Sequence, residues 1–128
     1  MSLCLLSCEK VYINGDLDGM WRLQTVETTD TTIHPQNIYY SFQRHLVMLG
    51  EHFDTGFPSY YLAEFDREGD MLVMSNFYKW PVNLGICDKE ELKKYFIFSD
   101  TVNFIVEVLD EEVLVMRDGN RAYNFKKW

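Results

Sequence analysis

Cysteine and net positive charge are scarce in this chain, and each scarcity removes a class of protein. The three cysteines, Cys4, Cys8 and Cys87, are odd in number, and two crowd the first eight residues. A disulfide scaffold spreads an even number through the domain. A zinc site needs about four ligands at close spacing, and Cys87 stands far from the other two. Lys and Arg number 12 against 20 Asp and Glu, a formal net charge of -8. A binder of nucleic acid needs a cationic surface, so no nucleic acid is expected as a partner, and a polybasic membrane patch is disfavoured. No run of 18 apolar residues exists that a helix could carry across a bilayer. Gly-x-Ser-x-Gly, the phosphate-binding loop and Gly-x-Gly-x-x-Gly are all missing. Internal repeats, low-complexity tracts and glycosylation sequons are missing too.

What is present is apolar and aromatic. The 128 residues suit one domain, and 47% of them are hydrophobic, enough for a real core. Phe, Trp and Tyr make up 16%. They recur in short alternating segments split by turn residues, the pattern of antiparallel β-structure.

A first strand is predicted over about 20–27, with Trp21 and Leu23 on one face. A second, long strand spans about 37–48, with Ile38, Tyr40, Phe42, Leu46 and Met48 at period two; only Arg44 spoils that face. Residues 60–65 and 71–78 read as a hairpin around the five-residue turn Asp66-Arg67-Glu68-Gly69-Asp70. Residues 80–86 are a candidate short strand. One helix is predicted over about 88–96: Asp88 and Glu91 form a capping box, Leu92, Tyr95 and Phe96 an apolar stripe, and Glu90 can pair with Lys94. Strands 102–109, 113–117 and 121–127 follow, turned at Asp110-Glu111-Glu112 and at Asp118-Gly119. The fold class is therefore all-β: an up-and-down antiparallel meander barrel of about eight strands, with one short helix before the last three.

Two resemblances add to this reading. Leu5-Leu6-Ser7-Cys8 resembles a bacterial lipobox, in which the cysteine is acylated. It implies a lipid anchor at Cys8, a remnant signal and polar lead-in over 1–16, and a barrel domain over 17–128. The basic segment and longer apolar run of a whole signal do not precede it. The other reading is a chance Leu-Leu-Ser-Cys in an apolar tail. Gly19-Met20-Trp21 opening the first strand, together with the Asp118-Gly119 turn and the final Tyr123-Asn124-Phe125-Lys126, resembles small bacterial lipocalin-like lipoproteins. That family's Trp plugs the closed end of the barrel beneath a cation from the last strand. The resemblance implies a barrel floor of Gly19 and Trp21 covered by Lys126 or Lys127; the family's arginine is absent there.

Candidates for an inner lining are Leu23, Tyr40, Phe42, Leu46, Phe104, Val106, Tyr123 and Phe125, and Tyr60, Tyr61 and Trp80, near predicted loops, are candidates for the mouth or an interface. These rings either fill the barrel or surround one small apolar or amphiphilic ligand. His45 and His52 with Glu51 and Asp54 lack any known metal spacing, Cys87 has no partner histidine placed near it, and the acidic residues sit in turns. No catalytic residue, metal or cofactor is expected. The expected function is a non-enzymatic, lipid-anchored protein of the bacterial cell envelope, touching membrane only through Cys8 and binding a small hydrophobic ligand. The alternative is a structural or protein-interaction subunit with a filled core.

Overall fold

The computed structural model describes residues 14–51, 60–80 and 88–128. Its strands are β1 (Gly19–Glu27), β2 (Thr32–Ile33), β3 (Ile38–Gln43), β4 (Leu46–Glu51), β5 (Tyr60–Glu68), β6 (Met71–Trp80), β7 (Val102–Leu109), β8 (Val113–Asp118) and β9 (Arg121–Lys127). All pairings are antiparallel between neighbours in the order β2-β1-β3-β4-β5-β6-β7-β8-β9, and β1 pairs with β9. That last pairing closes eight strands into a barrel, leaving the two-residue β2 as a short extra pairing on the far end of β1. A short helix, α1 (Lys89–Leu92), runs into a 3-10 turn (Lys93–Tyr95) before β7.

The expected meander is present, but the eight barrel strands arise differently from the expectation. The long strand over 37–48 is two strands joined by a tight turn at Arg44-His45, with Gln43 opposite Leu46. Arg44 adopts φ 57 to make that turn. The residue that interrupts the apolar face is therefore where the chain reverses. A two-residue turn shifts the inward parity by one. Phe42 points in, Gln43 and Leu46 point out, and Val47 and Leu49 point in. Leu46 was expected in the lining; it is 41% exposed on the outer wall, whereas Leu49 is fully buried. The turn between β5 and β6 is also tighter than five residues. Glu68 pairs with Met71, and Gly69 takes φ 60 in a turn position that favours glycine. The candidate strand over 80–86 lies outside the described residues apart from Trp80, the last residue of β6.

The helix forms where its cap lies. Asp88 Oδ1 accepts the Glu90 N–H at 2.9 Å, but Glu91 does not return to close a capping box. It is drawn to Tyr61 and Lys79 instead. Glu90 pairs with Lys93, not Lys94, and Lys94 reaches Glu51 on β4. Phe96 turns left-handed at φ 65, and the Ile97 N–H returns to the Leu92 carbonyl at 3.1 Å, ending the helix.

The core is the barrel interior. Inward residues of every barrel strand are buried, and aromatic pairs span it: Tyr40–Phe125 at 4.9 Å, Phe42–Phe65 at 5.2 Å and Phe104–Tyr123 at 5.1 Å between centroids. The parity shift is directly testable. Leu49→Ala is expected to cost about 2–5 kcal/mol in urea unfolding, and Leu46→Ala to stay within about 0.5 kcal/mol. Comparable losses at both positions would contradict the turn at Arg44-His45.

Candidate functional site

The two ends of the barrel are built differently, and the residues singled out in the sequence fall mainly at these ends or between them. At the floor, Asn14 begins a 3-10 turn (Gly15–Leu17) that folds beneath the start of β1. The Asn14 side chain donates to Asp18 Oδ1 at 2.8 Å and to the Arg44 carbonyl at 2.9 Å, tying this turn to the β3–β4 hairpin. Leu17 and Trp21 are fully buried, and Trp21 Nε1 donates to the Leu17 carbonyl at 2.9 Å.

The β1–β9 register sets Lys127 opposite Trp21. Its ammonium lies 4.3 Å from the indole centroid and donates to the carbonyls of Asp18 at 2.5 Å and Asp16 at 3.1 Å. Burial lowers the Lys127 pKa, opposed by the charges of Asp16 and Asp18. The structure thus separates the two candidate lysines: Lys127 covers Trp21, while Lys126 points outward and is exposed. Gly19 is needed at this corner for two reasons. It takes φ 117, and a Cβ there would lie 3.0 Å from Lys127 Cε and 3.1 Å from its Nζ. Asp16, Leu17 and Asp18 were missed in the sequence because they meet Lys127 and Trp21 through backbone carbonyls, which leave no signature in residue type.

At the opposite end, α1 and the segment after it form a roof. Leu92, Tyr95 and Ile97 are buried against the barrel. Three tyrosine hydroxyls reach the roof from the barrel wall. Tyr40 donates to the Tyr95 carbonyl at 2.5 Å, Tyr123 to the Phe96 carbonyl at 2.6 Å, and Tyr61 to Glu91 Oε1 at 2.8 Å. Lys79 holds the other Glu91 oxygen at 3.0 Å. Burial raises the pKa values of Tyr40 and Tyr123, and burial with Glu51 and Glu91 pushes that of Tyr95 up to about 12. The hydrogen bonds from Tyr61 and then Lys79 lower that of Glu91.

Among the lining candidates, Leu23, Tyr40, Phe42, Phe104, Val106, Tyr123 and Phe125 are buried inside, and Leu46 is outside. Among the mouth candidates, only Tyr61 meets the roof. Tyr60 stacks on Trp80 at 6.4 Å on the outer wall, where Trp80 is 41% exposed. Cys4, Cys8, Cys87, His52 and Asp54 lie outside the described residues. His45 sits exposed in the β3–β4 turn, and no metal-holding cluster of His, Cys, Asp or Glu occurs among the described residues.

Two outcomes test the two ends. Gly19→Ala is expected to destabilise by about 1–3 kcal/mol, because the residue must hold a positive φ while the lysine gives way; a neutral result in urea unfolding would contradict the close approach. At the roof, the folded state lowers the Glu91 pKa. Its contribution is therefore present above the unfolded value of about 4.3 and is lost as pH falls through the folded value. The melting-temperature gap between the wild type and Glu91→Gln is expected to be widest near neutral pH and to close in acid. A gap independent of pH would contradict this role.

Over residues 3–128 the chain matches the lipocalin-like domain family. Two solved structures share its fold. A lipocalin-like protein from Bacteroides uniformis aligns with TM-score 0.70 and 20% identity, over 89% of this chain and 100% of that one. An uncharacterized protein from Bacteroides eggerthii aligns with TM-score 0.69 and 18% identity, over 88% and 99%. No curated protein matches the chain.

Proposed function

The chain belongs to the lipocalin-like domain family, and from that premise we propose that it is a non-enzymatic protein of the bacterial cell envelope, tethered by a lipid on Cys8, whose filled barrel serves as a structural or interaction body. The family's fold suits either a ligand-binding or a structural protein. The observation that favours the structural reading is the use made of the inner tyrosines. The hydroxyls of Tyr40 and Tyr123 are already committed to roof carbonyls, and their rings pack on Phe125 and Phe104. A small apolar ligand entering from this end would have to break those hydrogen bonds and part those rings. A hydroxyl or carbonyl left buried and unpaired costs about 1–3 kcal/mol, so ligand entry is opposed by the same contacts that seal the roof.

The envelope assignment is supported by Leu5-Leu6-Ser7-Cys8, which resembles a lipobox. No described residues make a set of nucleophile, base and oxyanion donors, and the acidic turn residues Asp66, Glu68, Asp70 and Glu111 are solvent-exposed.

Both parts can be checked on one preparation. Intact-mass analysis of the protein made from its full gene in its own host is expected to show acylation at Cys8; an unmodified Cys8 would remove the anchor. Titration of the folded protein with an apolar fluorescent probe is expected to give no saturable enhancement. Stoichiometric enhancement lost on Phe104→Trp would instead favour a ligand inside the barrel.

A further inference from the structure

The net charge of -8 is an average over the whole chain and does not describe every wall. Across the outer face, the strand register aligns a row of residues running Lys126, Arg22, Tyr39, Gly50, Tyr60, Trp80, in which Gly50 adds no side chain and Tyr39 is buried with Trp128 against it. The next row toward the floor is Met20, Ser41, Met48, Leu62, Tyr78. Neither row contains an acid, although the chain carries 20 of them. Trp80 ends the upper row, and Trp128, 63% exposed and donating its backbone N–H to the Met20 carbonyl, extends the lower row, its ring centroid 5.2 Å from that of Tyr39.

Among the described residues six cations have a carboxylate partner and five do not: Arg67 on β5, Lys127 at the floor, and the three of this wall. Lys79, Lys89, Lys93, Lys94, Arg117 and Arg121 each have a carboxylate partner. Arg22, Arg44 and Lys126 make no ion pair among the described residues. Arg22 and Lys126 stand directly opposite each other across β1 and β9, an arrangement that costs stability unless an anion lies between. With Gln24, Lys127 and Trp128 they border a depression of about 320 Å³. Arg44 closes the floor end of a second depression, about 420 Å³, whose remaining walls include Leu46, Met48, Tyr60 and Leu62.

Apolar and aromatic rows rimmed by unpartnered cations are complementary to a surface that is apolar beneath and anionic on top. Tyr and Trp suit that boundary because each ring has an apolar body and a polar tip. Arg and Lys suit it because their stems cover apolar surface while the charge reaches out. The acid nearest these rows, exposed Glu64 opposite Leu46, accepts from Asn76 at 2.9 Å, and acids on the far walls do not cancel the attraction, since screening acts within about 8 Å at physiological salt.

We propose that this outer wall docks on an anionic bilayer surface, with Arg22, Lys126 and Arg44 meeting headgroup phosphates and Tyr60, Trp80 and Trp128 seated at the interface. No residue named for this wall is Cys8, so a chain without acylation keeps all of them, and failure of either proposal leaves the other standing.

The test uses the purified Cys8→Ser chain with vesicles of phosphatidylglycerol or of phosphatidylcholine. Co-sedimentation is expected with phosphatidylglycerol only, and to weaken as salt rises. The triple variant R22Q/R44Q/K126Q is expected to bind about 100-fold more weakly, roughly fivefold for each cation lost near an anionic surface. A matched triple on the other walls, R67Q/K89Q/R117Q, is expected to stay within about twofold. Quenching of the unsubstituted chain's tryptophans by brominated lipid, reduced in Trp80→Phe, reads the same contact without removing a cation. Absence of binding to phosphatidylglycerol at low salt overturns the proposal, as does equal loss in both triples. Complete displacement by millimolar inorganic phosphate would mean a small-anion site and overturns it. So would a stable dimer of the chain that buries this wall and excludes vesicles.

Discussion

The pairing of β1 with β9 is the constraint from which the rest of this molecule follows. An open meander would leave two unpaired edges, each a template for association with another chain. Closure removes them, and it does so with a register break between Leu23 and Thr25 that lets β1 bend around the barrel. The same register sets Lys127 opposite Trp21. The floor is therefore a consequence of closure: the last strand ends where the first begins, so its final cation falls on the plug. Gly19 suits that proximity, because at φ 117 a side chain is strained and its Cβ would push the end of Lys127 aside.

How far the sequence was legible depends on what marks each feature. The last three strands were readable at nearly their observed limits because Asp110 and Asp118-Gly119 are strong turn residues. Asp110 acts as expected: its carboxylate accepts the N–H groups of Glu112 and Val113, which lowers its pKa. Helix α1 was readable through Asp88. The turn at Arg44-His45 was not, since neither residue is a usual turn former and Arg44 must adopt a left-handed conformation. Once that turn was missed, the two-residue period carried Leu46 to the wrong face. Tyr60 and Trp80 lie at the roof end of β5 and β6, next to the loops that suggested a mouth or an interface, but on the outer face, which the sequence did not separate from the inner one. Alternation separates inside from outside only when the outer face is polar, and on the β3–β6 wall Tyr39, Met48, Leu62 and Tyr78 make both faces apolar.

Of the candidate site, the floor was the more legible end. Gly19, Trp21 and a terminal lysine are side-chain features, and the strand order brings them together. The roof depends on where carbonyls of Tyr95 and Phe96 point, which the Leu92–Phe96 sequence does not reveal. Glu91 illustrates the conflict between local and tertiary preferences. Its position favours a capping box, but Tyr61 and Lys79 offer it a phenol and an ammonium. A charge-assisted pair of contacts is worth more than one further bond to an N-cap N–H, so the tertiary partners win.

The two ends also differ in what would be needed to open them. The floor is continuous with the β-ladder: Lys127, Trp21 and Gly19 belong to paired strands, and displacing them means unzipping β1 from β9. The roof is held by three phenol hydrogen bonds and two partly exposed ion pairs, Lys79–Glu91 and Lys94–Glu51, on a helix of four residues and one further turn. Such a helix has little stability of its own and persists because Leu92, Tyr95 and Ile97 are buried. Local opening draws on the least stable unit of a fold. Here that unit is the roof, so any breathing of this barrel exposes the hydroxyls of Tyr40 and Tyr123 before it disturbs Trp21.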